Sequence, residues 1–139
     1  MKNYILVGLG PHAKRIYYSF LEKYRSKYGI NLKLLIELDN QSLNVEEYLK
    51  ERTLQPEKIL YNPQNGSNKM GVALDDKAKK ELDHLAQKHK IDGIIISTEP
   101  KAHKIYAEWA LKNNINVLMD KPITTPLYLS TNINSANQI

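Results

Sequence analysis

The apolar run Tyr4-Ile5-Leu6-Val7 is cut off by Gly8-Leu9-Gly10, and within three residues a helical pattern begins. Few features narrow a fold as much as strand, glycine turn and helix in that order. Glycines in such a turn let backbone N–H groups approach an anion closely, and the helix that follows points its positive end at the same place. Gly8, Gly10 and Ala13 fit the pattern G-x-G-x-x-G/A, where alanine at the third position still allows close helix-to-strand packing. On the residues alone, the turn reads as the pyrophosphate cradle of a dinucleotide site. The alternative is an ordinary tight turn from strand to helix.

The rest of the chain decides between them. From Ala13, the positions Ile16, Tyr17, Phe20, Leu21, Tyr24 and Tyr28 recur at helical spacing until Gly29 stops the pattern. A second strand is expected over Leu32 to Leu38, then a short helix to Leu49 capped by Ser42 or Asn44. A third strand is expected over Lys58 to Tyr61. Asp75 and Asp76 open a further helix with Ala78, Leu82, Leu85 and Ala86 on its inner face. Ile94-Ile95-Ile96 does not alternate, as expected of a parallel strand covered by helices on both faces. The set Ala102, Ile105, Tyr106, Trp109 and Ala110 marks the next helix, and Asn116 to Met119 a fifth strand. Strands and helices alternating in this way predict an α/β fold, a doubly wound parallel sheet with strand order 3-2-1-4-5. Its ligand crevice should lie beyond the carboxyl ends of strands 1 and 4.

Composition excludes several other classes. With 139 residues, 42% hydrophobic and 25% charged, the chain suits one soluble globular domain. It contains no cysteine, so disulfides, thiolate chemistry and cysteine-ligated metals are out, and no metal is expected. There is neither an apolar stretch of membrane-spanning length nor a signal-peptide pattern, and the protein reads as cytoplasmic. The net charge of +5 is spread over helix faces without interleaved aromatics, so no nucleic-acid partner is expected.

Gly8-Leu9-Gly10, Ser97-Thr98-Glu99-Pro100-Lys101-Ala102-His103 and Asp120-Lys121-Pro122 stand at the expected ends of strands 1, 4 and 5. Together they resemble the N-terminal, Rossmann-like domain of the Gfo/Idh/MocA oxidoreductases, over roughly Lys2 to Thr125. The resemblance implies a dinucleotide-binding domain over residues 1–125, the start of a following helix over 126–139, and truncation before the substrate domain. It departs from the family pattern at Ala13, at Asp120 where glutamate is commoner, and at Asn114 where a glycine often ends the helix.

The candidate site follows from both lines of reading. Gly8 and Gly10, with the amides near His12 and Ala13, would cradle the pyrophosphate, and the His12 side chain could also donate to a phosphate. Glu37 and Asp39 both stand near the distance a ribose carboxylate needs. Asp39 is preferred because it sits at the strand-to-loop junction. A carboxylate there repels a 2′-phosphate, which favours NAD slightly over NADP. The resemblance implies that Thr98 and Pro100 line the nicotinamide side and that Lys121 positions the cofactor and relays a proton during hydride transfer. His103 matches a histidine of the family pattern, and its place inside the helix start, not aimed at the crevice, gives it a structural or supporting role. The leading reading is therefore the NAD(P)-binding portion of an oxidoreductase acting on a sugar, polyol or related hydroxy compound. A non-catalytic dinucleotide-binding or sensing module is the alternative, and an adenosylmethionine methyltransferase would leave Asp120-Lys121-Pro122 unexplained. An open sheet edge after strand 5 invites a homo-oligomer.

Overall fold

The computed structural model describes residues 1–63, 74–99 and 102–120. Its five strands are β1 (Lys2–Val7), β2 (Ile30–Leu38), β3 (Ile59–Asn62), β4 (Gly93–Ile96) and β5 (Asn116–Met119). All neighbours pair in parallel, in the order β3-β2-β1-β4-β5, which is the sheet expected from the sequence. Between β1 and β2 run a π-helical segment (Ala13–Tyr18), α1 (Ser19–Lys23) and α2 (Arg25–Tyr28). A 3-10 turn (Asp39–Gln41) and α3 (Ser42–Leu49) follow β2, while α4 (Asp76–Lys88) precedes β4 and α5 (His103–Lys112) precedes β5.

The sheet separates two cores, and the side-chain alternation of each strand feeds both. Ile5 and Val7 of β1 join Ile94 and Ile96 of β4 against Leu82 of α4 and Tyr106 and Trp109 of α5. Leu6 and Ile95 point the other way, toward Tyr18, Leu21, Val45 and Leu49. Burial on both faces is why Ile94-Ile95-Ile96 needs no polar position. Strand β2 breaks the alternation once. Its register against β1 shifts between Tyr4, paired with Leu32, and Ile5, paired with Leu34, so Lys33 is the extra residue of a bulge. The bulge lets Leu32 and Leu35 enter the same core three positions apart, and it turns the Lys33 ammonium outward to Glu57 at 3.0 Å.

Most element ends follow their sequence signals. Gly29 and Asn114 both take left-handed backbone conformations, with φ of 62° and 56°. The Asp75 carboxylate accepts from the Lys77 N–H at 3.2 Å and caps α4. Two ends differ from expectation. No side chain caps α3, because the 3-10 turn over Asp39–Gln41 leads into it in place of a Ser42 or Asn44 cap. The first helix is not one α-helix: it opens as a π segment, in which the Ser19 hydroxyl donates to the Lys14 carbonyl at 2.9 Å, and it breaks again at Tyr24. Among the described residues, no helix is long and apolar enough to cross a membrane.

Two substitutions test this packing. Leu82→Ala opens a cavity in the α4–α5 core and should lower unfolding free energy by about 2–5 kcal/mol in a urea titration. Leu43→Ala, at a side chain that is 78% exposed, should stay within about 0.5 kcal/mol. Equal effects would contradict the assignment of Leu82 to the core.

Candidate functional site

The winding of the sheet reverses between β1 and β4, and there the two strands continue past their ends side by side. The Ser97 N–H donates to the Val7 carbonyl at 2.7 Å, and the Gly8 N–H donates to the Ile36 carbonyl of β2 at 2.8 Å. Gly8 has φ of 92°, and a Cβ placed on it would overlap the Ser97 carbonyl. Glycine is therefore required here by the protein's own packing. Gly10 is different, because a Cβ there would meet nothing within 4 Å. Its backbone faces open space, which is the geometry a phosphate needs in order to come close. The Lys14 N–H donates to the Gly10 carbonyl at 3.0 Å, and the amides ahead of that bond carry the partial positive charge of a helix start. Pro11 contributes no N–H, and Ala13, expected among the donors, is fully buried, so the accessible backbone of the turn is that of Gly10 and His12.

Glu37 braces the turn from the side. One carboxylate oxygen accepts from the Leu9 N–H at 2.7 Å and the other from the Leu38 N–H at 2.8 Å. This carboxylate thus ties the end of β2 to the glycine turn, a role that the sequence reading did not assign to it. Asp39 lies two residues on, exposed, where the strand passes into the 3-10 turn. Across the crevice, Thr98 lines a small cleft together with Gly8, Glu37, Ala102 and Tyr106. His103 is fully buried and donates to the Thr98 carbonyl at 2.9 Å, holding the loop that carries Thr98.

The third corner is built around Asp120, at the end of β5. Its main-chain N–H donates to the Ile96 carbonyl at 3.2 Å. One carboxylate oxygen accepts from the Tyr17 hydroxyl, and the other accepts from the Ser97 hydroxyl at 2.6 Å. His12 Nε2 stands 3.5 Å from the same oxygen that Tyr17 uses, and its ring meets Tyr17 edge-on with centroids 5.5 Å apart. The His12 side chain is half exposed, so it is neither a plain solvent residue nor committed to a phosphate. Ser97 serves Asp120, and α5 has no side-chain cap.

The structure thus brings Gly8 and Thr98 to one cleft, keeps Gly10 and His12 on the adjoining turn and Asp39 at the end of β2, and buries Ala13. Pro100, Lys121 and residues 126–139 lie outside the described residues. Tyr17 and Ser97 were missed as site residues. Tyr17 falls on the apolar stripe of its helix, and Ser97 reads as a loop or cap residue, so neither carries a signal of a distant carboxylate partner.

Known proteins give the same fold. A family model described as an oxidoreductase family with an NAD-binding Rossmann fold matches residues 3–137. Among solved structures, the WlbA (WbpB) dehydrogenase from Thermus thermophilus, in complex with NAD and UDP-GlcNAcA, is similar at 14% identity and a TM-score of 0.59. That likeness covers 90% of this chain and 34% of that one. A probable oxidoreductase, yhhX, is similar at 17% identity and a TM-score of 0.50, over 99% of this chain and 31% of that one. The chain therefore spans about a third of the length of both structures. No curated protein matches it significantly. The match along nearly the whole chain, on a sheet of this order with a glycine-lined crevice at its switch point, makes the protein a member of the Gfo/Idh/MocA oxidoreductase family, represented here by its NAD-binding Rossmann domain.

Proposed function

We propose that this chain is the cofactor-binding part of an oxidoreductase that moves a hydride between a nicotinamide dinucleotide and a sugar, polyol or related hydroxy compound. The observation that carries the reading is the convergence of the ends of β1, β4 and β5 on one crevice, with open backbone at Gly10 on one side and Asp120, which precedes Lys121 in the chain, on the other. The residues fit the cofactor. Gly10 and His12 would hold the pyrophosphate, and Asp39 would accept from the ribose hydroxyls. Glu37 is less suited to that task because both its oxygens already accept backbone N–H groups. Thr98 and Pro100 would line the nicotinamide side. The cofactor, when bound, accepts or returns a hydride. Lys121 would present its ammonium to the substrate hydroxyl and move the proton that accompanies the hydride.

NAD is preferred over NADP in this reading. Asp39 at the β2 rim, with Glu37 behind it, puts negative charge where a 2′-phosphate would sit. A sugar-nucleotide substrate, as in the Thermus thermophilus complex, is one member of the proposed class. A cytoplasmic location and self-association through the open edge of β5 belong to the same proposal.

Fluorescence titration with NADH, NADPH and adenosylmethionine tests it. NADH should bind more tightly than NADPH by about tenfold, and adenosylmethionine should not bind. Failure of both nicotinamide cofactors to bind at millimolar concentration would remove the reading. Gly10→Ala should leave the thermal melt in place while weakening NADH binding by about tenfold or more, since the new methyl group enters the phosphate's approach. Gly8→Ala should instead destabilise the fold itself by about 2 kcal/mol or more, through strain at positive φ and overlap with Ser97. In a turnover assay with a sugar or polyol on a longer chain that includes a substrate domain, Lys121→Ala should lower kcat by about a hundredfold or more while leaving NADH affinity within a few-fold. Undiminished turnover would eliminate Lys121 as the catalytic lysine.

A further inference from the structure

We propose that Tyr17 is a positioning residue for the nicotinamide end of the crevice: with Ser97 it clamps the Asp120 carboxylate and so fixes the end of β5, which Lys121 follows in the chain. The inference rests on the role given to Lys121 above. Its basis is the set of bonds around one carboxylate. Asp120 is 103 residues from Tyr17 and 23 from Ser97 in sequence, yet its two oxygens are divided between their hydroxyls. This single side chain ties the ends of β4 and β5 to the helical segment that follows β1.

Strand β5 needs such a clamp. Among the described residues it is an edge strand paired with β4, and Asn116 and Leu118 are exposed. The last described ladder bond of this edge runs from the Asp120 N–H to the Ile96 carbonyl. The side-chain clamp adds a constraint from the helix of the glycine turn. Successive residues of the π segment serve different flanks of the helix. Tyr18 is buried toward α3 and donates to the Leu54 carbonyl, while Tyr17 crosses to Asp120.

The Tyr17 hydroxyl keeps its proton under all ordinary conditions. Burial and the adjacent Asp120 carboxylate push its pKa up to about 12, so it donates throughout the range in which a nicotinamide enzyme works. Three further groups complete the surroundings. His12 stands beside the shared oxygen, Ser97 holds the other, and Lys121 follows in the chain. Because His12 ends the turn that would hold the pyrophosphate and Tyr17 lies in the helical segment that follows it, cofactor binding there should stiffen the end of β5 through the same bonds.

Hydrogen exchange read by mass spectrometry, with and without NADH, tests the clamp in the full chain. In the free protein, Tyr17→Phe should speed exchange of the amides at Met119 and Asp120 by about threefold to tenfold, the range expected for one lost hydrogen bond. Exchange in β2 should stay unchanged. Tyr18→Phe, which loses a hydroxyl bond on the neighbouring residue, should leave Met119 and Asp120 as they were. NADH should slow exchange at these two amides in the wild type, and Tyr17→Phe should abolish that protection. Combining Tyr17→Phe with Asp120→Asn should weaken NADH binding no more than the stronger single change does. Unaltered exchange at Asp120 in Tyr17→Phe, or an equal effect from Tyr18→Phe, would overturn the clamp. If the wild type binds no NADH, the cofactor reading falls, and the free-protein exchange alone decides for or against the clamp.

Discussion

The crevice depends on how closely the Gly8 backbone passes the Ser97 carbonyl. That approach brings the ends of β1 and β4 together where the sheet's winding reverses, and only a residue without a side chain can occupy the position. A larger residue would push the β4 loop away. Thr98 would leave the cleft, and Ser97 would lose its reach to Asp120. A steric requirement inside the fold thus creates the geometry for a ligand, whereas Gly10 has no such duty and is open to the ligand itself. The two glycines look alike in the sequence and differ in what they do.

Much of the architecture is legible because burial leaves a periodic trace. The sheet order follows from alternating strand and helix patterns, and the unbroken isoleucines of β4 announce a strand covered on both faces. Gly29 and Asn114 mark helix ends because few other residues tolerate left-handed backbone. The π segment left no such trace. Apolar positions at Ile16, Tyr17, Phe20 and Leu21 suit an α-helix equally well, and the choice between the two coils is made by bonds such as Ser19 to the Lys14 carbonyl. The bulge at Lys33 is likewise hidden, since one lysine between leucines fits ordinary alternation.

The candidate site divides along the same line. Residues whose value lies in the backbone or in chain position, such as Gly8, Gly10 and Asp39, can be picked out from spacing. Residues whose value lies in a partner far along the chain cannot. Tyr17 and Asp120 meet only because β5 is laid next to β4 and the first helix crosses the carboxyl edge. Glu37 is intermediate: its distance from the glycines suggested a ribose contact, but its place in β2 turns it toward the Leu9 amide.

Electrostatics shows why these carboxylates are so fully bonded. A dinucleotide brings two phosphate charges into a crevice that already contains Glu37, Asp39 and Asp120. A carboxylate about 8 Å from a phosphate costs about 0.5 kcal/mol in a water-like dielectric, and more as the site closes. One helix start returns about the same amount, about 0.3–1 kcal/mol, so bare carboxylates would cancel what the turn offers. Glu37 and Asp120 are covered by donors of the protein itself. Glu37 accepts the Leu9 and Leu38 amides, and Asp120 accepts the Tyr17 and Ser97 hydroxyls, which draws their charge onto the protein's own donors. Asp39 is exposed at the β2 rim, where the strand passes into the 3-10 turn. The same bonds that hold these strand ends in place also reduce the repulsion that a bound anion would feel, so rigidity and affinity in this crevice have a common source.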